Sequence, residues 1–197
     1  AGRAVGPDRK GWREVASSPA VTVMTCRVGA QCAPTRPFAK HPSGGDRRLT
    51  QIVLTSSGAR ETRLVGRRLG QVLSVGDVVA LSGDLGAGKT CFVQGLAEGM
   101  GIEGVVTSPT FILMREHSGT PALCHADAYR LESPWELEDL GLEDILARCV
   151  LAIEWAERVA DALPEERVEV ALTNDGDDRR RITLSASGPR LSELLQE

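Results

Sequence analysis

The order of apolar and polar positions predicts alternating strands and helices from residue 51 onward. Residues 51–55 and 77–82 are predicted strands, and the second is a continuous apolar run of the kind buried on both faces of a sheet. Residues 59–73 carry apolar side chains at helical spacing, and a second helix is expected to end near Met100. Later strands are predicted at residues 111–115, 123–126, 150–153, 168–172 and 181–185, and a helix at residues 134–147 with Ser133 as N-cap and Pro134 at its first position.

This alternation predicts an α/β fold with a mainly parallel sheet. Residues 168–172 and 181–185 flank the turn-forming run 174–178, which predicts an antiparallel hairpin at the C-terminal end of the sheet. Together with the glycine loop described below, the pattern favours the three-layer P-loop NTPase fold.

Residues 1–48 differ from the rest of the chain in pattern and in charge. They show no sustained period, and they carry nine Lys or Arg against three Asp or Glu, whereas residues 49–197 carry 14 against 24. We therefore predict a disordered basic tail over residues 1–48 and one folded domain over residues 49–197. Because an acidic domain binds nucleic acid phosphates poorly, any contact with RNA is expected to be indirect or confined to a patch.

The cysteines and the apolar runs indicate in which cellular compartment the protein is expected. Five cysteines without CxxC spacing argue against a disulfide framework and against a zinc site. No run approaches the roughly 18 apolar residues of a membrane span. We therefore expect a cytoplasmic protein with no membrane association.

The strongest chemical signal is the run Gly83-Asp84-Leu85-Gly86-Ala87-Gly88-Lys89-Thr90, which fits the P-loop pattern and lies between a predicted buried strand and a predicted helix. Glycines allow successive backbone N–H groups to point into one concavity, which suits phosphate oxygens. Lys89 is then expected to reach the β- and γ-phosphates and the Thr90 hydroxyl to bind Mg²⁺.

A magnesium ion at such a loop usually needs an acidic group at the end of a neighbouring strand. Two residues qualify: Glu154 follows four apolar residues, and Asp127 ends a more polar segment. The pattern alone does not decide between them.

The hydroxyl-rich run Thr107-Ser108-Pro109-Thr110 is either a turn entering a strand or a switch that becomes ordered around the γ-phosphate. The Asn-Lys-x-Asp signal of GTPases is absent, which favours adenine.

Five short motifs follow one another over residues 51–173: Gly83 to Thr90, Thr107-Ser108-Pro109-Thr110-Phe111, His125-x-Asp127-x-Tyr129-Arg130-Leu131, Glu138-x-Leu140-Gly141-x-Glu143-Asp144 and Ile153-Glu154-Trp155. In order and spacing they resemble the TsaE family, also called YjeE. The resemblance implies a magnesium-dependent ATPase required for threonylcarbamoyladenosine at position 37 of tRNAs that read codons beginning with A. It also implies that the protein works with a TsaB–TsaD pair and does not itself transfer the threonylcarbamoyl group.

The same resemblance assigns roles to individual residues. It implies that Thr90 and Glu154 hold Mg²⁺, that Asp127 lies near the γ-phosphate in a role like switch II, and that residues 107–111 resemble switch I. The adenine would lie near Ala59 and Thr62. We expect Lys89 and Asp127 to serve catalysis, with Asp127 positioning either the attacking water or the water shell of the metal.

The sequence departs from the family pattern at Cys91, where many members have a second threonine, and at Ala156, where proline usually follows the Glu-Trp pair. Cys91 adjoins the predicted nucleotide site and has two interpretations. It is either a reactive thiolate favoured by the helix N-terminus and Lys89, or a small apolar filler.

Two other functions remain compatible with the residues. One is a small-molecule kinase of the same fold, in which Arg179, Arg180 and Arg181 would clamp a phosphate. The other is a binding module that ATP gates and in which hydrolysis is incidental. A phosphorylated acceptor would identify the kinase, and a hydrolysis-deficient variant with normal function would identify the module.

Overall fold

A computed structural model of the chain describes residues 24–27, 50–110 and 112–195. The strands are β1 Met24–Arg27, β2 Thr50–Ser56, β3 Val78–Ser82, β4 Met114–His117, β5 Ala122–Asp127, β6 Cys149–Glu154, β7 Val168–Asn174 and β8 Arg180–Ala186. The α-helices are α1 Ala59–Gly70, α2 Lys89–Gly99, α3 Trp135–Asp139, α4 Leu142–Leu146 and α5 Pro189–Leu194. Short 3-10 helices lie at Ala128–Arg130, Ala156–Arg158 and Ala160–Ala162.

The strands form one sheet in the order β1-β2-β8-β7-β3-β6-β5-β4. The central strands β7, β3, β6 and β5 are parallel, and every other neighbouring pair is antiparallel. The α/β class and the hairpin of β7 and β8 are confirmed. The prediction of a mainly parallel sheet is wrong, because the sheet is mixed: antiparallel strands extend the parallel centre on both sides.

Helices cover both faces of this sheet. Along β3, Val79 and Leu81 point into one core together with residues of α1 and α2. Val78 and Ala80 point into the opposite core, which α3 and α4 cover. Since every residue of β3 is buried, the continuous apolar run is explained by a strand between two cores.

Two predicted elements differ from the structure. The strand predicted at residues 111–115 begins only at Met114, since Leu113 has a φ of 64° and interrupts the extended backbone, and Phe111 lies outside the described residues. The helix predicted at residues 134–147 is divided into α3 and α4 by Gly141, whose φ is 77°. The helix begins one residue later than predicted, at Trp135, and its N-cap is Pro134 in place of Ser133. Ser133 Oγ still accepts a hydrogen bond from the Trp135 N–H at 3.1 Å.

Of the predicted tail, the structure describes only the backbone of Met24–Arg27, which pairs antiparallel with β2 as the edge strand β1. The other residues of the segment 1–48 lie outside the described residues, so a disordered tail there stays a prediction. Among the described residues, no helix has the length and apolar character needed to cross a membrane.

The helices α1 and α2 pack against each other through glycines. A Cβ added at Gly66 would lie 2.2 Å from the Phe92 carbonyl oxygen, and one at Gly95 would lie 2.0 Å from the Arg63 carbonyl oxygen. The two backbones therefore touch without intervening side chains. This contact places the first turn of α1 beside the first turn of α2, where the glycine loop ends.

We expect Gly95→Ala to lower the free energy of unfolding by about 1–3 kcal/mol, since the added methyl group overlaps backbone and forces the helices apart. Helix propensity alone would raise the free energy of unfolding, since alanine is favoured over glycine within a helix by about 1 kcal/mol. Urea denaturation measures the difference. Gly58→Ala is the control, because nothing lies within 4 Å of its added Cβ. A stabilised Gly95→Ala variant would contradict the close contact.

Candidate functional site

The glycine loop connects the end of β3 to the start of α2. Gly83, Gly86 and Gly88 have φ angles of 132°, 77° and 106°, a region that favours glycine. At Gly83 a side chain is also excluded by space, because a Cβ would lie 2.2 Å from the Leu172 carbonyl oxygen. The predicted strand, loop and helix are thus present in the predicted order, and the loop conformation depends on its glycines.

Lys89 is the first residue of α2 and is only 4% exposed. Its Nζ donates hydrogen bonds to the carbonyl oxygens of Gly83 at 2.6 Å and Asp84 at 2.9 Å. The ammonium also lies 3.7 Å from the centroid of the Trp155 ring. Burial lowers the pKa of Lys89, and nearby carboxylates, first among them Glu154, act in the opposite direction.

The two predicted metal ligands lie side by side. Thr90 Oγ1 donates a hydrogen bond to Glu154 Oε1 at 2.8 Å. The strand β6 carries Glu154 as its last residue, and its parallel register with β3 pairs Glu154 with Leu81, just before the glycine loop. The parallel pairing of β6 with β3 therefore brings the carboxylate at the end of β6 beside the glycine loop.

Asp127 ends β5 and is paired in register with Glu154. Its Oδ2 accepts hydrogen bonds from Ser108 Oγ at 3.0 Å and Thr110 Oγ1 at 2.7 Å, and its Oδ1 accepts one from the Tyr129 N–H at 2.9 Å. The hydroxyl segment, residues 107–110, is thereby attached to the end of β5. Within that segment Pro109 is buried, and Thr107 Oγ1 accepts a hydrogen bond from Arg115 at 3.2 Å.

These groups surround one cavity of about 430 Å³. It is lined by Leu85, Gly86, Gly88, Lys89, Thr90, Cys91, Ser108, Thr110, Asp127, Tyr129, Glu154 and Trp155. Ten of these residues are among the sequence-predicted site residues. The predicted residues Gly83, Asp84, Ala87, Thr107 and Pro109 belong to the same two loops but do not line the cavity.

Tyr129 and Trp155 line the cavity although they were not predicted as binding residues. Their rings lie 5.0 Å apart between centroids, and Trp155 has a φ of 57°. The available signal was the position of each residue, two after Asp127 and one after Glu154. The left-handed backbone that turns Trp155 toward Lys89 gives no sequence signal in a residue other than glycine.

The predicted adenine-side residues lie next to the loop but outside the cavity lining. Thr62 is buried, and its hydroxyl lies 2.8 Å from Ser56 Oγ. The Ala59 carbonyl oxygen accepts a hydrogen bond from Cys91 Sγ at 3.1 Å. The adenine assignment therefore stays a prediction.

Burial raises the pKa of the Cys91 thiol, and this effect exceeds the opposing effect of the Arg63 guanidinium. We therefore expect maleimide to label Cys91 more slowly than glutathione at pH 7, with a rate that rises with pH as thiolate forms. Mass spectrometry of the labelled peptides measures it. Labelling of Cys91 faster than that of glutathione would restore the reactive interpretation.

Cys124 and Cys149 are buried free thiols, and burial raises the pKa of Cys124 to about 12.

Comparison with known proteins identifies the family. The profile described as Threonylcarbamoyl adenosine biosynthesis protein TsaE matches residues 56–182, which contain every predicted site residue. The chain belongs to the TsaE family. Among TsaE proteins, that of Bacillus subtilis is 40% identical over 151 residues, covering 76% of this chain and 94% of the relative. The TsaE protein of Streptomyces coelicolor is 43% identical over 136 residues, covering 65% of this chain and 92% of the relative.

A TsaE-like chain is also found among solved structures. The crystal structure of Bacillus subtilis YdiB superposes with a TM-score of 0.66 at 35% identity, covering 75% of this chain and 93% of that one. The profile and the relatives' names place the TsaE family in tRNA threonylcarbamoyladenosine biosynthesis. The resemblance stated from the motifs is thus confirmed at the level of the family.

Proposed function

We propose that this protein is a magnesium-dependent P-loop ATPase that supports threonylcarbamoyladenosine formation at position 37 of tRNAs reading codons that begin with A. The observation that carries the proposal is the 2.8 Å contact between Thr90 Oγ1 and Glu154 Oε1 beside the glycine loop. It joins a loop suited to phosphate with a carboxylate suited to a cation. Membership of the TsaE family supports the link to tRNA modification.

The loop and the first turn of α2 would bind the phosphates of ATP. In this proposal, backbone N–H groups of the loop contact the phosphate oxygens, and the N-terminus of α2 favours their negative charge. The Lys89 ammonium adds a formal charge at the same place and is shielded from bulk water by the Trp155 ring. An ammonium in such a low-dielectric position interacts strongly with an anion that enters the cavity.

The residues present fit a magnesium ion. Thr90 offers a hydroxyl oxygen and Glu154 a carboxylate oxygen, both hard ligands of the type Mg²⁺ prefers. In nucleotide sites Mg²⁺ commonly takes one or two protein ligands and completes its shell with phosphate oxygens and water. When bound, it would offset the charge of the phosphate oxygens. The chain's contribution is to hold Thr90 and Glu154 next to the phosphate loop.

Asp127 would serve turnover more than binding. It is 4% exposed, lines the cavity and is separated from the loop by the position of Glu154 in the sheet register. Its carboxylate holds Ser108 and Thr110. A carboxylate at this point can orient a water molecule for in-line attack, and a loose transition state does not require it to be a strong base.

The hydroxyl segment lines the cavity through Ser108 and Thr110, and both side chains donate hydrogen bonds to Asp127. A partner that moves this segment could therefore act on turnover. We propose that a TsaB–TsaD pair is that partner and that contact with tRNA is made mainly through it, because the domain is acidic. Leu85 at the tip of the glycine loop is 89% exposed, which suits contact with another protein at the mouth of the cavity. A cytoplasmic location follows from this role.

Phosphate release from ATP by the purified chain tests the enzymatic part. We expect slow release that requires Mg²⁺ and that increases when the TsaB–TsaD pair is added. No phosphorylated acceptor should form, which separates the ATPase from a kinase. Release that is absent with and without the partners would contradict the proposal.

A further inference from the structure

His125 is buried in β5 and has one polar partner among the residues that the structure describes. Its side chain is 0% exposed, and its Nε2 lies 2.9 Å from Glu154 Oε1. Glu154 Oε1 also accepts the hydrogen of the Thr90 hydroxyl. Since a carboxylate oxygen that accepts one hydrogen bond has capacity for a second, we assign the hydrogen of the second bond to His125 Nε2.

The cost of this arrangement indicates that the contact matters. His125 Nδ1 is buried and has no hydrogen-bond partner in the part of the chain that the structure describes. An unpaired buried polar atom costs about 1–3 kcal/mol, and an apolar side chain of similar size would avoid that cost. A residue chosen only to fill the core would therefore not be histidine.

Both hydrogen bonds reach the same oxygen of Glu154. They fix Oε1 from two elements, α2 through Thr90 and β5 through His125. For Oε2, the described residues provide no hydrogen bond. The Glu154 carboxylate is thus held by one oxygen on the wall of the cavity, while its other oxygen accepts no hydrogen bond from the described part of the chain.

We propose that His125 is a positioning residue that holds the Glu154 carboxylate in the orientation needed to bind a divalent cation. This inference rests on the proposed function, because it gives Glu154 the role of metal ligand. Hydrogen bonds from outer residues commonly orient the ligands of a metal, and their loss typically lowers metal affinity about 10–100-fold. His125 itself touches neither the nucleotide nor the metal in this proposal.

The test measures two quantities by calorimetry with the non-hydrolysable ATP analogue AMP-PNP: affinity in EDTA, and the Mg²⁺ concentration that gives half of the magnesium-dependent gain in affinity. We expect His125→Leu to raise this Mg²⁺ concentration about tenfold or more and to leave affinity in EDTA within about twofold. His125→Gln should recover most of the effect, because its amide N–H can take the place of Nε2–H. His125→Asn is one methylene shorter and should not.

His117→Leu is the matched control, since its ring lies 6.5 Å from that of His125 on the neighbouring strand and has no contact with Glu154. An unchanged Mg²⁺ requirement in His125→Leu, or an equal loss of affinity with and without Mg²⁺, would overturn the inference. If His125→Leu does not fold, the inference is tested with His125→Gln and His125→Asn. Equal Mg²⁺ requirements for these two variants would overturn the inference. A wild-type chain whose AMP-PNP affinity does not respond to Mg²⁺ would instead contradict the proposed function.

Discussion

Replacing Lys89 with alanine is expected to weaken ATP binding about 100-fold or more. Hydrogen bonds to charged groups contribute about 1.5–3 kcal/mol each, and Lys89 is predicted to reach two phosphates. Two such contacts correspond to at least two orders of magnitude in Kd. Lys89 is also the cation whose ammonium lies 3.7 Å from the Trp155 ring centroid beside the cavity, so its loss removes positive charge from the phosphate site itself.

The control must separate lost phosphate contacts from a disturbed loop, since Lys89 Nζ also bonds the Gly83 and Asp84 carbonyl oxygens. Lys89→Met retains the aliphatic stem but loses the charge and both carbonyl hydrogen bonds, so its melting temperature reports how far the loop depends on those bonds. Arg148→Ala removes an exposed cation that pairs with Glu116 and precedes β6, at the end of the strand opposite Glu154. Calorimetry together with melting temperatures distinguishes the effects. Unchanged affinity in both Lys89 variants would remove the glycine loop from consideration as the phosphate site.

Glu154→Gln is expected to raise the Mg²⁺ requirement of ATP hydrolysis by at least about 100-fold. Loss of an outer partner of a metal site costs about 10–100-fold, and a direct ligand should cost no less than the upper end of that range. The amide keeps an oxygen that can accept from Thr90, so the change is mainly one of charge. Mg²⁺ titrations of initial hydrolysis rates measure it.

Asp127→Asn provides the comparison for this result. It should lower kcat and leave ATP affinity within about threefold, because Asp127 is assigned to turnover and not to the metal. Glu116→Gln, an exposed carboxylate on β4, controls for loss of charge alone. Equal changes in Mg²⁺ requirement and kcat for Glu154→Gln and Asp127→Asn would contradict the division of roles between the two carboxylates.

Much of the site could be predicted because its parts are local in sequence. The glycine loop is a contiguous motif, and a buried apolar run ending in a carboxylate indicates that Glu154 lies at the carboxyl end of a parallel strand. The choice between Glu154 and Asp127 as metal ligand came from the family resemblance. The structure adds the Thr90 contact for Glu154 and the Ser108 and Thr110 contacts for Asp127.

What the sequence did not predict depends on contacts between distant residues or on unusual backbone. The sheet is mixed because antiparallel strands flank its parallel centre on both sides, and no local pattern specifies that β2 pairs with β8. The left-handed conformations of Leu113 and Trp155 are adopted by residues that rarely take them. The hydrogen bond from His125 to Glu154 likewise depends on the register of β5 and β6.

Reconstituted tRNA modification tests the central proposal most directly. Threonylcarbamoyladenosine at position 37 would be quantified over several turnovers with the TsaB–TsaD pair, the activated threonylcarbamoyl donor and ATP, adding this protein, its Glu154→Gln variant or neither. Multiple turnovers are expected only with the unmodified protein and hydrolysable ATP. Equal modification without the protein, or with Glu154→Gln, would contradict a role for its ATP hydrolysis in forming the modified base.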